Sequence, residues 1–211
     1  MIHATDSKGT FYILNKKDRT PIIFIHGVGL DHSIWDPQIN EFDNTVLIYD
    51  ILGHGKTTLN KNDLSFDDFS DQIINLIDEL KFNKVHLVGF SIGSLIARNF
   101  ATRFNNRLAS LTLLCSIFNR SDKEQKIVND RFEQTKKDHK LTKDALKRWF
   151  TEDYLNKNPG ISDKIFNILQ NNNMSNFIKI YSLFVKHQDN EKFENINTKT
   201  LVITGEGDVG S

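Results

Sequence analysis

Four short apolar runs divide the chain, and each is followed closely by two glycines. The runs are Ile22–Ile25, Val46–Tyr49, Val85–Val88 and Leu201–Thr204. The glycine pairs that follow them are Gly27 and Gly29, Gly53 and Gly55, Gly89 and Gly93, and Gly205 and Gly207. Runs of this kind are typical of strands buried in a mostly parallel sheet, where glycine permits a sharp turn at the strand end. Functional loops of open α/β sheets lie at those carboxyl ends, so the glycine pairs mark where a site is expected.

Helical periodicity fills the gaps between these predicted strands. One amphipathic pattern covers residues 66–80 behind Ser65, the predicted N-cap, and a second covers Ile92–Phe104. Leu108–Leu114 has the composition of a further strand and ends at Cys115, which we interpret as a small core residue. Strand, helix and strand in succession predict right-handed crossovers, and therefore an α/β fold with a doubly wound, mostly parallel sheet.

The start and the middle of the chain depart from this core pattern. Residues 2–4 and 10–14 predict a small antiparallel hairpin. Residues 116–198 contain one glycine and one proline, and their apolar positions follow helical spacing, which predicts four helices inserted as a lid. The expected organisation is a core over residues 1–115, a helical lid over 116–198 and a last core strand over 199–211.

Two sets of residues within the predicted lid carry further expectations. Three residues precede periodic stretches and are the expected N-caps: Thr142, Ser162 and Ser175. Three aromatic residues either line a binding cavity or pack the lid helices on one another, and we favour packing: Trp149, Phe150 and Tyr154.

Composition and charge exclude several classes of protein. The chain has 211 residues, with 27 basic and 27 acidic side chains, so a nucleic-acid protein with a basic surplus is not expected. No run approaches the roughly 18 apolar residues of a membrane span, and the N-terminal residues do not resemble a signal peptide. The single cysteine fits a reducing compartment. We therefore expect a cytoplasmic protein without nucleic-acid or membrane partners, whose oligomeric state the sequence does not determine.

The strongest chemical motif is Gly89-Phe90-Ser91-Ile92-Gly93, between a predicted strand and a predicted helix. A serine at such a turn has strained backbone and an exposed hydroxyl, while the flanking glycines let strand and helix approach closely. The helix N-terminus behind Ser91 also favours negative charge that develops nearby. The motif predicts a nucleophilic serine; the alternative is a serine that merely caps the helix.

A second motif, His26-Gly27-Val28-Gly29, follows the strand Ile22–Ile25. A tetrahedral oxyanion needs two convergent N–H donors, one after the nucleophile and one from a neighbouring strand–helix loop. The backbone amides of Ile92 and Val28 are the expected pair. His26 is a candidate base, but we interpret it as a structural residue that shapes this loop through hydrogen bonds.

A third motif, Gly53-His54-Gly55-Lys56-Thr57, imitates a phosphate-binding loop. A true P-loop requires a glycine where this chain has Asp50, so nucleotide binding is not expected. No metal-ligand spacing and no dinucleotide fingerprint occurs elsewhere, and no cofactor is predicted.

Together the three motifs resemble the α/β-hydrolase superfamily in order and spacing. The stretch from His26 to Gln38 is similar to the 3-oxoadipate enol-lactonase-like branch. The resemblance implies a serine hydrolase that acts on esters, lactones or thioesters, or on carbon–carbon bonds in some branches, and it assigns the triad carboxylate to Asp208. Glu206 is the local rival, which we expect to face solvent or support the turn.

The same resemblance implies a histidine base that follows the acid along the chain. All seven histidines precede Asp208: His3, His26, His32, His54, His86, His139 and His187. We do not expect His139 or His187 to reach the site from the lid, and without a base Ser91 is a weak nucleophile. We therefore expect the native protein to continue past Ser211 and the 211-residue chain alone to be inactive.

Two functions remain open from the sequence. The first is a serine carboxylesterase or lactonase, without cofactor or metal, that hydrolyses a small acyl substrate through an acyl-enzyme at Ser91. The second is a non-catalytic protein of the same fold that binds a small ligand.

Overall fold

The computed structural model describes residues 1–138, 144–189 and 193–208, and its centre is a seven-stranded sheet. The strands are β1 (Ile2–Thr5), β2 (Phe11–Asn15), β3 (Arg19–Ile25), β4 (Asn44–Tyr49), β5 (Val85–Phe90), β6 (Leu108–Leu114) and β7 (Thr200–Ile203). Their order in the sheet is β1-β2-β4-β3-β5-β6-β7. Adjacent strands from β4 to β7 are parallel, which confirms the predicted α/β class.

The predicted N-terminal hairpin is present, but it belongs to the main sheet. β1 pairs with β2, and β2 continues the sheet by pairing antiparallel with β4, where Ile13 lies opposite Ile48. The sheet is therefore mixed, with an antiparallel part at one edge. The local alternation of residues 10–14 predicted the hairpin but contained no information about its neighbour β4.

Seven α-helices lie in the described part of the chain. They are α1 (Phe66–Glu79), α2 (Ile92–Phe104), α3 (Asp122–Asp138), α4 (Asp144–Trp149), α5 (Glu152–Lys157), α6 (Pro159–Gln170) and α7 (Met174–Lys186). α1 begins after Ser65 as predicted, and the Ser65 N–H donates to the Asp68 carboxylate at 2.8 Å. No helix in the described ranges is long and apolar enough to cross a membrane.

The strand side chains alternate between two apolar layers, as the pleat of a sheet requires. Ile23 and Ile25 of β3 belong to the larger cluster, which contains the buried faces of α1 and α2. Ile22 and Phe24 belong to the opposite cluster, with Trp35 of a short 3₁₀ helix. Both faces of the central strands are therefore buried, and their carboxyl ends are held in a fixed relation to one another.

The 116–198 segment contains more breaks than the periodicity predicted. Five helices, α3 to α7, lie in its described ranges where we expected four. The Thr151 hydroxyl accepts from the Tyr154 N–H and so starts α5, and α6 begins at Pro159, which corrects Ser162 as an N-cap. Asn173 rather than Ser175 caps α7, because its side chain accepts from the Asn176 N–H. Thr142 lies outside the described residues.

β7 forms one edge of the sheet and is exposed along its length. It pairs only with β6 among the described strands, and Leu201, Val202 and Ile203 are 55%, 63% and 47% exposed. A sheet edge with exposed apolar side chains can pair with another segment or chain.

Candidate active site

Ser91 occupies the turn between β5 and α2 in a strained conformation. Its φ is +54° and its ψ is −120°, a left-handed combination that L side chains rarely adopt. The Ser91 N–H donates to the Leu114 carbonyl at 3.0 Å, and the Ser91 carbonyl accepts from the Ser94 N–H at 2.8 Å. These bonds hold the turn on the end of the neighbouring strand, and the Ser91 side chain borders the cavity described below.

Glycine is required on both sides of this turn for steric reasons. A Cβ at Gly89 would collide with the Gly93 carbonyl oxygen. A Cβ at Gly93 would lie 2.6 Å from the Ile25 carbonyl oxygen and 2.7 Å from that of His26. α2 therefore lies directly against the backbone at the end of β3, which brings the Ser91 turn close to the His26-Gly27-Val28-Gly29 loop.

A cavity of about 670 Å³ lies between the carboxyl ends of the strands and the 116–198 segment. Ligand sites typically have volumes of about 300–1,000 Å³. Val28, Ser91, Cys115 and Asp208 line the strand side. The helical side is lined by apolar residues, by polar residues, by the basic Arg131, Lys147 and Arg148, and by the acidic Asp138; the apolar and aromatic ones include Leu169, Phe177, Tyr181 and Phe184. The cavity thus gathers the predicted nucleophile, the predicted acid and one of the two predicted oxyanion donors.

Of the two amides predicted to bind an oxyanion, one belongs to Val28, which lines the cavity, and the other to Ile92, which directly follows the cavity-lining Ser91. Ile92 is the first residue of α2, so its N–H is one of those that a helix leaves without an intrahelical partner. Val28 is the second residue of a turn closed by a 3.2 Å bond from the Leu30 N–H to the Gly27 carbonyl. Gly29 has a φ of +77° in that turn, and a Cβ there would meet the Phe177 ring at 2.9 Å.

His26 is buried and hydrogen-bonded, as expected of a structural residue. Its Nε2 accepts from the Ile51 N–H at 3.1 Å, and its Nδ1 lies 2.8 Å from the Gly27 carbonyl oxygen. His54, also buried, accepts from the Gly29 N–H through Nε2 at 2.9 Å. Burial lowers the pKa of both rings, to about 3 for His54. Neither histidine is available as a base for Ser91.

The loop that imitates a P-loop encloses the protein's own carboxylate. Asp50 is fully buried and accepts from the Lys56 N–H at 2.9 Å and from the His32 N–H and Nδ1 at 2.8 Å. A Cβ at Gly55 would collide with the same carboxylate. Burial, the largest single effect, would raise the pKa of Asp50, but the hydrogen bonds from His32 and the Lys56 N–H together with the neighbouring histidines outweigh it and lower that pKa. The Lys56 N–H of this loop is therefore already bonded to a carboxylate of the same chain.

Asp208 lies in the turn after β7 and borders the cavity, whereas Glu206 is exposed. The Asp208 N–H donates to the Gly205 carbonyl at 3.0 Å, and the Thr204 hydroxyl lies 3.3 Å from the Asp208 carboxylate. The Cys115 thiol is also hydrogen-bonded to that carboxylate; burial and this bond raise the pKa of the thiol. Cys115, which we interpreted as a core residue, therefore borders the cavity, because β6 ends beside β5 and β7.

No described histidine forms a hydrogen bond to Ser91 or lines the cavity. His86 pairs with Ser110 on the sheet, and His187 packs edge-on against Phe66 and lies 3.4 Å from Asp189. His139 lies outside the described residues. The arrangement therefore presents a strained serine, a carboxylate and backbone donors, and its base comes from none of the six described histidines.

The aromatic residues of the 116–198 segment have both of the functions considered. Trp149 and Phe150 line the cavity. Phe150 also stacks on Tyr154 at 5.5 Å and packs beside the cluster of Leu30 and Leu146. Arg131 was not singled out in the sequence, because a cation on a polar helix gives no signal of which face borders a cavity.

Comparison with known proteins identifies a matching family profile and several relatives of this chain. The profile of the alpha/beta hydrolase fold matches residues 20–208. An (E)-2-((N-methylformamido)methylene)succinate hydrolase of Acinetobacter baylyi is 29% identical over 96% of this chain and 78% of its own. The 3-oxoadipate enol-lactonase 1 of the same organism is 25% identical over 99% of this chain and 79% of its own.

A solved structure shows the same fold. The enol-lactonase from Burkholderia xenovorans LB400 superimposes with a TM-score of 0.79 at 21% identity, over 97% of this chain and 81% of its own. The family profile covers most of the residues from β3 to the turn that holds Asp208. The chain belongs to the α/β-hydrolase fold family, and its relatives include enol-lactonases.

Proposed function

We propose that this protein is a serine hydrolase that acts on a carboxylic ester or lactone of a small acyl compound. The observation that carries the proposal is the strained Ser91, which borders a cavity of about 670 Å³ together with Val28 and Asp208. Relatives named as a hydrolase and as enol-lactonases support the reaction class.

In the proposed reaction, the Ser91 oxygen attacks the acyl carbon while a base takes the hydroxyl proton. The carbonyl oxygen becomes an oxyanion that the Val28 and Ile92 N–H groups stabilise. Collapse breaks the bond to the leaving oxygen, which receives the proton, and water then hydrolyses the acyl-enzyme. Asp208 would orient the base, which no described histidine supplies.

We further propose that the substrate carries a carboxylate and that Arg131 binds it. Arg131 lines the cavity, and within the described ranges its guanidinium has no hydrogen-bond or ion-pair partner. Burial raises the pKa of Tyr181 in the same cavity, and the charges of Arg131 and Arg148 partly offset that effect. Two relatives are named for acting on a succinate derivative and on a 3-oxoadipate enol-lactone, which are carboxylate compounds.

The 116–198 segment is proposed to be the lid of this cavity. Its α6 and α7 helices provide Leu169 and Phe177 to the lining, and the Asn172 side chain donates to the Gly29 carbonyl at 2.8 Å. Lys164 pairs with Asp36 at 2.9 Å across the same boundary. Residues 1–115 and 199–208 are then the core, while 209–211 lie outside the described residues, and we propose that the enzyme is cytoplasmic.

The test is ester and lactone turnover by the protein at its native length, compared with Ser91→Ala. Turnover that Ser91→Ala abolishes and Ser110→Ala retains supports the proposal, because Ser110 lies on β6 away from the cavity and pairs with His86. Equal turnover in Ser91→Ala would exclude Ser91 as the nucleophile. Ligand binding without any turnover would instead favour a non-catalytic binding protein, for which the lack of a described histidine beside Ser91 is the specific observation.

A further inference from the structure

We propose that His26 and His54 act as a reciprocal latch between two loops and thereby fix the direction of the Val28 N–H. The latch joins the loop after β3, residues 26–30, to the loop after β4, residues 50–57. The inference rests on the proposed function, because it gives positioning residues to the oxyanion donor of that site.

The latch is reciprocal because each loop supplies one imidazole and one backbone donor. His26 of the first loop accepts from the Ile51 N–H of the second at 3.1 Å. His54 of the second loop accepts from the Gly29 N–H of the first at 2.9 Å. The two rings lie edge to face, with 5.4 Å between their centroids. Movement of either loop would break both bonds at once.

The geometry also fixes the tautomer of each ring. Both Nε2 atoms accept a hydrogen bond, so both must carry a lone pair. The Nδ1 of His26 faces the Gly27 carbonyl at 2.8 Å, and that of His54 faces the Leu52 carbonyl at 3.3 Å, so each Nδ1 carries the proton. Both rings are buried, and burial lowers their pKa values, which keeps the rings neutral at physiological pH.

The planarity of the peptide bond transmits this constraint to Val28. The Gly27 carbonyl and the Val28 N–H belong to one trans peptide plane, in which they point in opposite directions. Since His26 and the Leu30 N–H hold the Gly27 carbonyl, the Val28 N–H is directed away from them. His54 holds the next plane through the Gly29 N–H. Both peptide planes that flank the α-carbon of Val28 are therefore fixed, and Val28 borders the cavity.

Three variants of the native-length protein separate this role from simple packing. His54→Leu removes the acceptor for the Gly29 N–H, whereas His54→Gln places an amide oxygen near the position of Nε2. His86→Gln is the matched control, since His86 lies on β5 and pairs with Ser110. Oxyanion donors act in the transition state, so His54→Leu should lower kcat about 10- to 100-fold with KM changed by less than about two-fold. His54→Gln should recover most of that loss, and His86→Gln should show none of it.

Nitrogen NMR of the histidine rings and amide hydrogen exchange give a readout that needs no turnover. We expect the Nδ1–H tautomer for both His26 and His54, and faster exchange of the Gly29 N–H in His54→Leu. A folded His54→Leu with wild-type kcat, or an Nε2–H tautomer for His54 in the wild type, would overturn the latch. If the wild type has no turnover at all, the proposed function fails, while the tautomers and the amide exchange still decide whether the latch exists.

Discussion

The α-carbon of Gly93 faces the carbonyl oxygen of Ile25, so closely that a Cβ would lie 2.6 Å from it. This contact joins the helix behind Ser91 to the strand that ends in the Val28 loop. Gly93→Ala must push two backbone segments apart, and we expect it to lower the free energy of unfolding by about 1–3 kcal/mol. Urea denaturation measures the change.

Gly160→Ala is the control for the loss of a glycine from a helix. A Cβ at Gly160 meets nothing within 4 Å, so the substitution should leave stability unchanged or raise it by up to about 1 kcal/mol. Equal stability of the two variants would contradict the close approach at Gly93.

Arg98 of α2 holds both ends of the 116–198 segment. Its guanidinium donates to the Ile117 carbonyl and to the Asp189 carboxylate, each at 2.6 Å, and only 2% of its side chain is exposed. Burial, the largest single effect, would raise the pKa of Asp189, but Arg98, the Asn119 N–H and His187 together outweigh it and lower that pKa. Arg98→Met removes the donor for the Ile117 carbonyl and the partner of the Asp189 carboxylate, and we expect a loss of about 1–3 kcal/mol in thermal or urea unfolding.

Lys126→Met provides the comparison for an exposed ion pair. Lys126 pairs with Asp130 at 2.6 Å, but both side chains are largely exposed, so the change should stay within about 0.5 kcal/mol. A similar small effect of Arg98→Met would show that the buried bonds do not hold the segment.

Stability should fall in acid because His26 and His54 are buried in the neutral form. Burial lowers their pKa values below the ordinary 6.5, to about 3 for His54, so the unfolded chain binds more protons once the pH falls below 6.5. The stabilisation is complete above pH 6.5 and is lost as the pH falls, by roughly 1.4 kcal/mol per pH unit for each proton. His54→Gln should therefore reduce the pH dependence of the free energy of unfolding between about pH 4.5 and pH 6. The reduction should correspond to about one proton fewer taken up on unfolding.

The pair of His32 and Asp50 changes stability with pH in the opposite direction to His26 and His54, because the pKa of His32 is raised. Burial, the largest single effect, opposes protonation of His32, but its hydrogen bond to Asp50 and the charges of Asp50 and Asp31 together outweigh burial and raise the pKa of His32. This contribution to stability is present below pH 6.5 and is lost as the pH rises through the raised pKa.

Ser91→Ala is the control for the pH experiment on His54. It removes no titrating group, so its free energy of unfolding, measured by urea denaturation, should depend on pH as that of the wild type does. If the free energy of unfolding of His54→Gln depended on pH as that of the wild type does, this result would contradict a neutral, buried His54.

Arg131 is predicted to select substrates that carry a carboxylate. A hydrogen bond to a charged group contributes about 1.5–3 kcal/mol, so Arg131→Gln should lower kcat/KM for an anionic ester by about 10- to 150-fold. The matched neutral ester should be hydrolysed as before, and Arg131→Lys should retain part of the preference. Arg103→Gln, which removes an arginine paired with Asp71 outside the cavity, should change neither rate. Equal losses on both esters in Arg131→Gln would refute the selection.

The sequence predicted those parts of the fold that depend on local patterns. Ile92–Phe104 and Leu108–Leu114 have the predicted bounds, because periodicity and glycine at strand ends are local signals. The breaks at Thr151 and Pro159 were missed, since short helices end where tertiary packing permits and their periodicity is weak. The sheet position of β2 depended on its pairing with β4, which is remote in the chain.

In the candidate site, too, features that depend on local sequence were predictable, and features that depend on tertiary contacts were not. The strained turn at Ser91 was predictable because its motif is local, and the hydrogen-bonded, buried state of His26 followed from its place in a glycine loop. Cys115 and Arg131 became visible only in three dimensions, because each reaches the cavity through the packing of its strand or helix. The latch required His54 and Gly29, which are 25 residues apart, to be brought together.

The central claim, that Ser91 is a nucleophile, is tested most directly by intact-mass measurement of the native protein after treatment with a fluorophosphonate probe. The untreated mass, set against 24.4 kDa for these 211 residues, also shows whether the native protein is longer. We predict addition of one probe, located on the peptide that contains Ser91 and absent from Ser91→Ala. A native protein that remains unlabelled, or a Ser91→Ala variant labelled to the same extent, would contradict the account.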